Sequence, residues 1–266
     1  MKLILLQILC ISGFLLLTSD VSAQDAAEKT APSLYNEGLA LLKAKNYAEG
    51  LPMLEQALEK AEAEGNEQVA GLAKKNGAMA AYNLGNKKRK AKAYDEASAL
   101  FTKGTIMNPG YSSNYIGIAR VLDAQGKKTE AMAKYIEAAG IAMAEEKPKK
   151  QKQAYKRAKA LVSGSYNDKA YDDVISLGDT YLTKDDNADV RYYIAKSMMT
   201  QDKNDDAIAH LDKALTMSPK KKDRIIYAKA QTLEKMGKNA DAVAAYKLIT
   251  DEKYKESADY KVKTLK

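Results

Sequence analysis

The sequence predicts an all-α chain, a right-handed superhelical solenoid of about six helical hairpins closed by a C-terminal capping helix. Three observations carry this. From Pro32 onward apolar residues recur at helical spacing, and no segment alternates with period two. Glycine and proline fall between the periodic segments, at Gly65, Gly126, Pro148 and Gly237 among others. One pattern also recurs along the chain: a small residue, another about twelve residues on, then an aromatic or large apolar residue four later.

The elements follow in chain order. Met1–Ala23 reads as a secretory signal peptide: Lys2 supplies the positive start, Leu3–Leu17 the apolar stretch, and Val21-Ser22-Ala23 the small residues before a cut that leaves Gln24 first. The stretch is shorter than the roughly 20 residues a bilayer core requires; an uncleaved membrane anchor is the alternative. Cys10 sits inside this stretch rather than at its end, which disfavours lipid attachment. Residues 24–31 form a short mature segment, 32–250 the hairpins, and 251–266 the cap, where Tyr254, Ala258, Val262 and Leu265 recur at helical spacing.

The repeating triplets are Gly38, Gly50, Leu54; Gly85, Ala97, Phe101; Ala119, Ala131, Tyr135; Val162, Val174, Gly178; Ala195, Ala207, Leu211; and Ala230, Ala242, Tyr246. The fourth departs furthest. With Tyr82-Asn83-Leu84-Gly85, Tyr94, Gly104 and Pro109 around the second triplet, the pattern resembles the tetratricopeptide repeat, a 34-residue helix–turn–helix. Successive first members lie 47, 34, 43, 33 and 35 residues apart. The two long spacings predict breaks at Gly65-Asn66 and at Pro148, with a hinge near 145–150. Gly126 and Gly237 fit turns needing positive φ. Asn46 with Glu49 predicts a capping box, and Pro52 a kink in the helix that follows.

The resemblance implies a concave groove lined by the first helix of each hairpin. The residues it places there are Tyr35, Tyr82, Asn86, Arg89, Arg120, Lys156, Lys159, Tyr166, Tyr192, Lys196 and Tyr227, with Asp123, Asp189 and Glu234 as an acidic minority. The expectation is a tyrosine ladder with a basic middle that takes a protein or peptide segment of acidic character. The carboxylate clamp of chaperone-binding relatives is incomplete here: Tyr35 and Leu39 stand where Lys and Asn are needed, and Ser113 and Gly117 where cations are needed.

Composition narrows the chemistry. The chain has 266 residues, a net charge of +8, one Cys and one His. Disulfide frameworks and Cys/His metal sites are thereby excluded. Gly126-Lys127-Lys128-Thr129 lacks the earlier glycine of a phosphate loop, Val121 standing in its place. No catalytic constellation emerges, so no enzyme activity and no cofactor are expected. The basic runs at Lys87–Lys92, Lys147–Lys159 and Lys220–Arg224 read as solvated helix faces, with peripheral contact to anionic envelope components as the alternative. Export and intervening acidic stretches such as Asp185–Asp189 argue against nucleic acid. The sequence reading is a periplasmic or secreted binding scaffold. A glycan- or envelope-binding module is the rival, weakened by the absence of tryptophan.

Overall fold

The structure is a computed structural model that describes residues 29–217 and 222–265; the signal segment, Pro219 and Lys220 lie outside the described residues. Thirteen helices and no strand occur among those described. They are α1 (Ala31–Lys43), α2 (Tyr47–Ala63), α3 (Glu67–Lys90), α4 (Tyr94–Met107), α5 (Ser112–Ala124), α6 (Lys128–Ala144), α7 (Pro148–Asn167), α8 (Tyr171–Leu182), α9 (Ala188–Thr200), α10 (Asn204–Met217), α11 (Lys222–Lys235), α12 (Asn239–Tyr246) and α13 (Glu252–Thr264). Each odd helix packs on the even helix after it, giving six hairpins, and α13 lies against α11 and α12.

The curvature follows from which helices touch. Consecutive first helices are in contact all along the chain, from α1 on α3 to α9 on α11. Of the second helices only α6 and α8 touch, among the described residues. A stack whose first-helix layer is closed and whose second-helix layer is splayed bends with the first helices inside. The inner face is therefore built from α1, α3, α5, α7, α9 and α11.

All eighteen residues of the repeating triplets are buried. Small residues at the first two places let the paired helices approach, and the third fills the space between hairpins. The fourth hairpin fits by a different allocation. A Cβ at Gly178 would lie 2.6 Å from Ile194 Cγ1, so the glycine admits α9, while Leu177 and Tyr181 fill the core beside it. The core runs through 145–150 without interruption, since Ala138, Ala139, Ala154 and Ala158 share one cluster. Both long spacings are absorbed by longer helices: α3 has 24 residues and α7 has 20. The breaks fall where expected, with Asn66 capping α3 by accepting from the Val69 N–H at 3.1 Å and Pro148 opening α7.

One local expectation is corrected. Asn46 stands at the start of α2, but its side chain makes no capping hydrogen bond. Pro52 lies inside α2, as placed from the sequence, and the helix continues to Ala63. The packing of Leu51, Leu54, Ala57 and Ala61 into the core holds the segment helical on both sides of the proline.

Turns within hairpins use positive φ throughout: +77° at Gly126 and +73° at Gly237, but also +61° at Lys45 and Lys92, +59° at Lys169 and +60° at Asp202. Left-handed backbone costs a residue with a Cβ about 1–2 kcal/mol. Lys92→Gly is therefore expected to raise stability by about 0.5 kcal/mol, after the entropy of the freer unfolded chain. Gly126→Ala should lower it by about 1 kcal/mol. Urea unfolding midpoints moving in opposite directions for the two variants check this.

Candidate functional site

Tyrosines recur along the first helices, though not all are available. Tyr35 is turned into the core, 9% exposed, and its hydroxyl accepts from Asn76 Nδ2 at 2.9 Å. Tyr82 is half-buried, its ring 6.0 Å from Phe101 and 6.1 Å from Tyr111, with Lys150 Nζ 5.9 Å above it. Asn86 Nδ2 donates to the Tyr82 carbonyl one turn back, at 3.1 Å. Toward the C-terminus the rings connect: Tyr166 to Tyr193 at 5.3 Å, Tyr193 to Tyr192 at 5.6 Å, and Tyr227 to Tyr254 at 5.3 Å. The Tyr227 hydroxyl is 2.7 Å from Ser257 Oγ. Burial pushes the Tyr192 phenol up to about 12, against the opposing pull of Arg224, whose guanidinium lies 4.5 Å from the ring. Tyr192 therefore stays a neutral donor at any physiological pH.

The basic residues divide into two groups. Lys159 of α7 and Arg224 of α11 both reach Asp189 of α9, Lys159 Nζ at 2.7 Å from Oδ2 and Arg224 on Oδ1. Burial would raise the Asp189 carboxyl, but the Lys159 hydrogen bond and the charges of Lys159 and Arg224 outweigh it and hold the group below its ordinary range. That carboxylate engages two of the basic residues, Lys159 and Arg224, from within the groove.

Arg89 of α3, Arg120 of α5 and Lys196 of α9 have no ion-pair partner among the described residues. Burial alone pushes the Lys196 ammonium below its usual value. Arg89 is lowered by burial and then by the charges of Arg120 and Arg157, and its Nε is shielded from solvent without a hydrogen-bond partner. Arg157 was not singled out in the sequence. It falls on an exposed turn of α7 beside Lys156, at a place the repeat pattern does not assign to the groove.

Lys156 and Lys159 line one side of an open cleft of about 630 Å³, together with Gln151, Lys152, Tyr155, Tyr181, Asp185 and Asn187. Tyr155 meets Tyr181 edge-on at 5.8 Å, and the Tyr181 hydroxyl donates to Asp185. Burial and then Asp185 raise that phenol far above its ordinary value, so it does not ionise. Among the described residues no group of three or more His, Cys, Asp or Glu side chains is placed to hold a metal ion, and no helix is long and apolar enough to cross a membrane.

No curated protein sequence matches the chain. Solved structures similar to it include a MamA protein, at 18% identity over 69% of this chain and 94% of that one, with a TM-score of 0.42. YrrB, described as a TPR protein with an unusual peptide-binding site, is 17% identical over 78% of this chain and 92% of its own, with a TM-score of 0.36. The TPR2AB domain of yeast Sti1, solved with pHSP90, is 12% identical over 88% and 97%, with a TM-score of 0.38. The family model of the tetratricopeptide repeat matches residues 35–111, which are the first two hairpins. Over that span the chain is similar to the tetratricopeptide repeat, and the four hairpins beyond it pair their helices in the same order.

Proposed function

We propose that this chain is an exported, non-catalytic scaffold that holds an acidic segment of a protein partner on its first-helix face. One observation carries the reading. That face keeps partly buried cations, Arg89, Arg120 and Lys196, with no carboxylate paired to any of them, beside tyrosines that offer rigid contact area with polar tips. A desolvated cation without a counter-charge is unfavourable in the free protein, and an arriving carboxylate relieves it. The repeat architecture supports the same reading, since a long curved face gives an extended peptide contact with several hairpins at once.

Fluorescence anisotropy with three labelled peptides of equal length tests it: one rich in Asp and Glu, one neutral and one rich in Lys. The acidic peptide should bind at least about tenfold tighter than the neutral one at low salt, and lose that advantage as salt screens the charges. Equal binding of acidic and neutral peptides would remove the reading. Export is tested separately, by expressing the full chain in bacterial cells. Recovery from the periplasm with Gln24 as the first residue supports it; retention of the intact chain in the membrane supports an anchored form instead.

A further inference from the structure

The lengthening of α7 builds one wall of a cleft. α7 has 20 residues and α9 has 13. Val162 and Ala195 hold the same place in the repeating triplets, and each is followed by five residues before its helix ends. The added length, about two turns, therefore precedes Val162 and projects beyond the start of α9. Beside it lies the open cleft of about 630 Å³, within the range of about 300–1,000 Å³ that small-ligand sites occupy. Lys152, Tyr155, Lys156 and Lys159 of α7 line one side; Tyr181 of α8, with Asp185 and Asn187 of the loop that follows, lines the other.

The two sides offer different chemistry. Lys152 and Lys156 are exposed and lie one turn apart on one face of α7, and neither makes an ion pair among the described residues. Like charges at that spacing repel in the free protein, and a carboxylate arriving between them removes the repulsion. Across the cleft, the Tyr181 hydroxyl donates to Asp185 and keeps that carboxylate in place as an acceptor. Asn187 Oδ1 accepts from the Asp189 and Val190 N–H groups at 3.1 and 3.4 Å, which leaves its amide nitrogen as a donor. Tyr155 meets Tyr181 edge-on at 5.8 Å and adds apolar ring surface.

We infer that this cleft anchors one acidic residue of the bound segment, its carboxylate held by Lys152 and Lys156 and its peptide groups met by Asp185 as acceptor and Asn187 as donor. This rests on the proposed acidic-segment function and deepens it. One acidic residue suits the charge of the lining: Lys159 is committed to Asp189, and the two unpaired lysines share the cleft with the single carboxylate of Asp185. Lys159 also ties the cleft to the inner face, since it lines the cleft and reaches Asp189, which Arg224 of α11 holds from the other side. A segment lying across the first helices thus has a pocket for one of its side chains at the overhang of α7.

The probe is the labelled peptide rich in Asp and Glu, with the neutral peptide as its control. Lys152→Gln and Lys156→Gln should each weaken acidic-peptide binding about threefold, and together about tenfold. Lys149→Gln removes the same charge from the same helix at an exposed place outside the cleft, and should change binding less than about twofold. Because the chain has no tryptophan, Tyr155→Trp gives a single reporter in the cleft, whose emission should change as the acidic peptide saturates the protein. Thermal melts identify any variant that does not fold. If the wild type prefers the acidic peptide but the folded double lysine variant matches it, or the reporter's emission stays constant at saturation, the cleft assignment falls and the proposed function stands. If the wild type does not distinguish the two peptides, the function itself falls. Inorganic phosphate at constant ionic strength should not displace the peptide; displacement at millimolar phosphate that the double variant abolishes would reassign the cleft to a phosphoryl group and overturn the carboxylate.

Discussion

Replacing Phe101 by alanine is expected to destabilise the protein by about 4 kcal/mol, the range for emptying a closed aromatic site. Phe101 of α4 is completely buried. Its ring lies against two notches: a Cβ at Gly85 of α3 would sit 2.8 Å from the ring, and one at Gly117 of α5 would sit 2.5 Å from it. With Ala97 and Val121 it forms a small core cluster joining the second hairpin to the third. Stability in a stacked repeat is a sum of hairpin and interface contributions. Loss of this ring should therefore separate the unfolding of α1–α4 from that of α5–α13. The measurement is urea unfolding with hydrogen exchange read helix by helix. Two transitions, with protection lost first in α3, α4 and α5, are expected. A single transition with an unchanged midpoint would show that the interface is held by other contacts.

Removing the Asp223 carboxylate is expected to cost about 3 kcal/mol at neutral pH, because it removes three hydrogen bonds to a buried charged acceptor. Asp223 opens α11 at 7% exposure and accepts from the Thr250 N–H at 2.7 Å, the Thr250 hydroxyl at 3.0 Å and the Asp251 N–H at 2.5 Å. It thereby fixes the start of α13, where Asp251 caps the helix through the Lys253 N–H. Burial would raise its carboxyl, but the backbone donors of Asp251 and Thr250 prevail and hold it below its ordinary value. A depressed folded pKa means that this stabilisation is complete above the unfolded value, near 4, and is lost as pH falls through the folded value. Asp223→Ala should therefore differ most from the wild type near pH 7 and converge on it in acid. Asp223→Asn keeps an acceptor, so it should lose less at neutral pH, and its gap to the wild type should close in acid as well. Thermal melts between about pH 2 and 7 check both; a wild-type-to-alanine gap that does not change with pH would contradict the linkage.

Much of the fold was legible because helix pairing leaves a local signature. Gly85, Ala97 and Phe101 fall within one hairpin, and their sizes follow from how closely two helices on one short loop must approach. The capping helix was legible for the same reason, since Tyr254, Ala258, Val262 and Leu265 join a core cluster as their spacing implied. The Asn46 cap was not, because a sequence motif does not fix whether the side chain turns onto the backbone. The groove was read less completely, since its chemistry depends on partners far apart in sequence. Lys159, Asp189 and Arg224 meet only because α7, α9 and α11 lie side by side, and no local pattern records that pairing. Tyr35 was lost to the groove because Asn76, on the lengthened α3, claims its hydroxyl.

The most direct test is residue-resolved chemical-shift mapping of the protein titrated with the acidic peptide. Binding on the inner face should move signals on α3 and α5 around Arg89 and Arg120, and extend to Tyr192 and Lys196 on α9. Shifts confined to α2, α4 or α10, or the same shifts with the neutral peptide, would contradict a first-helix face that recognises acidic segments.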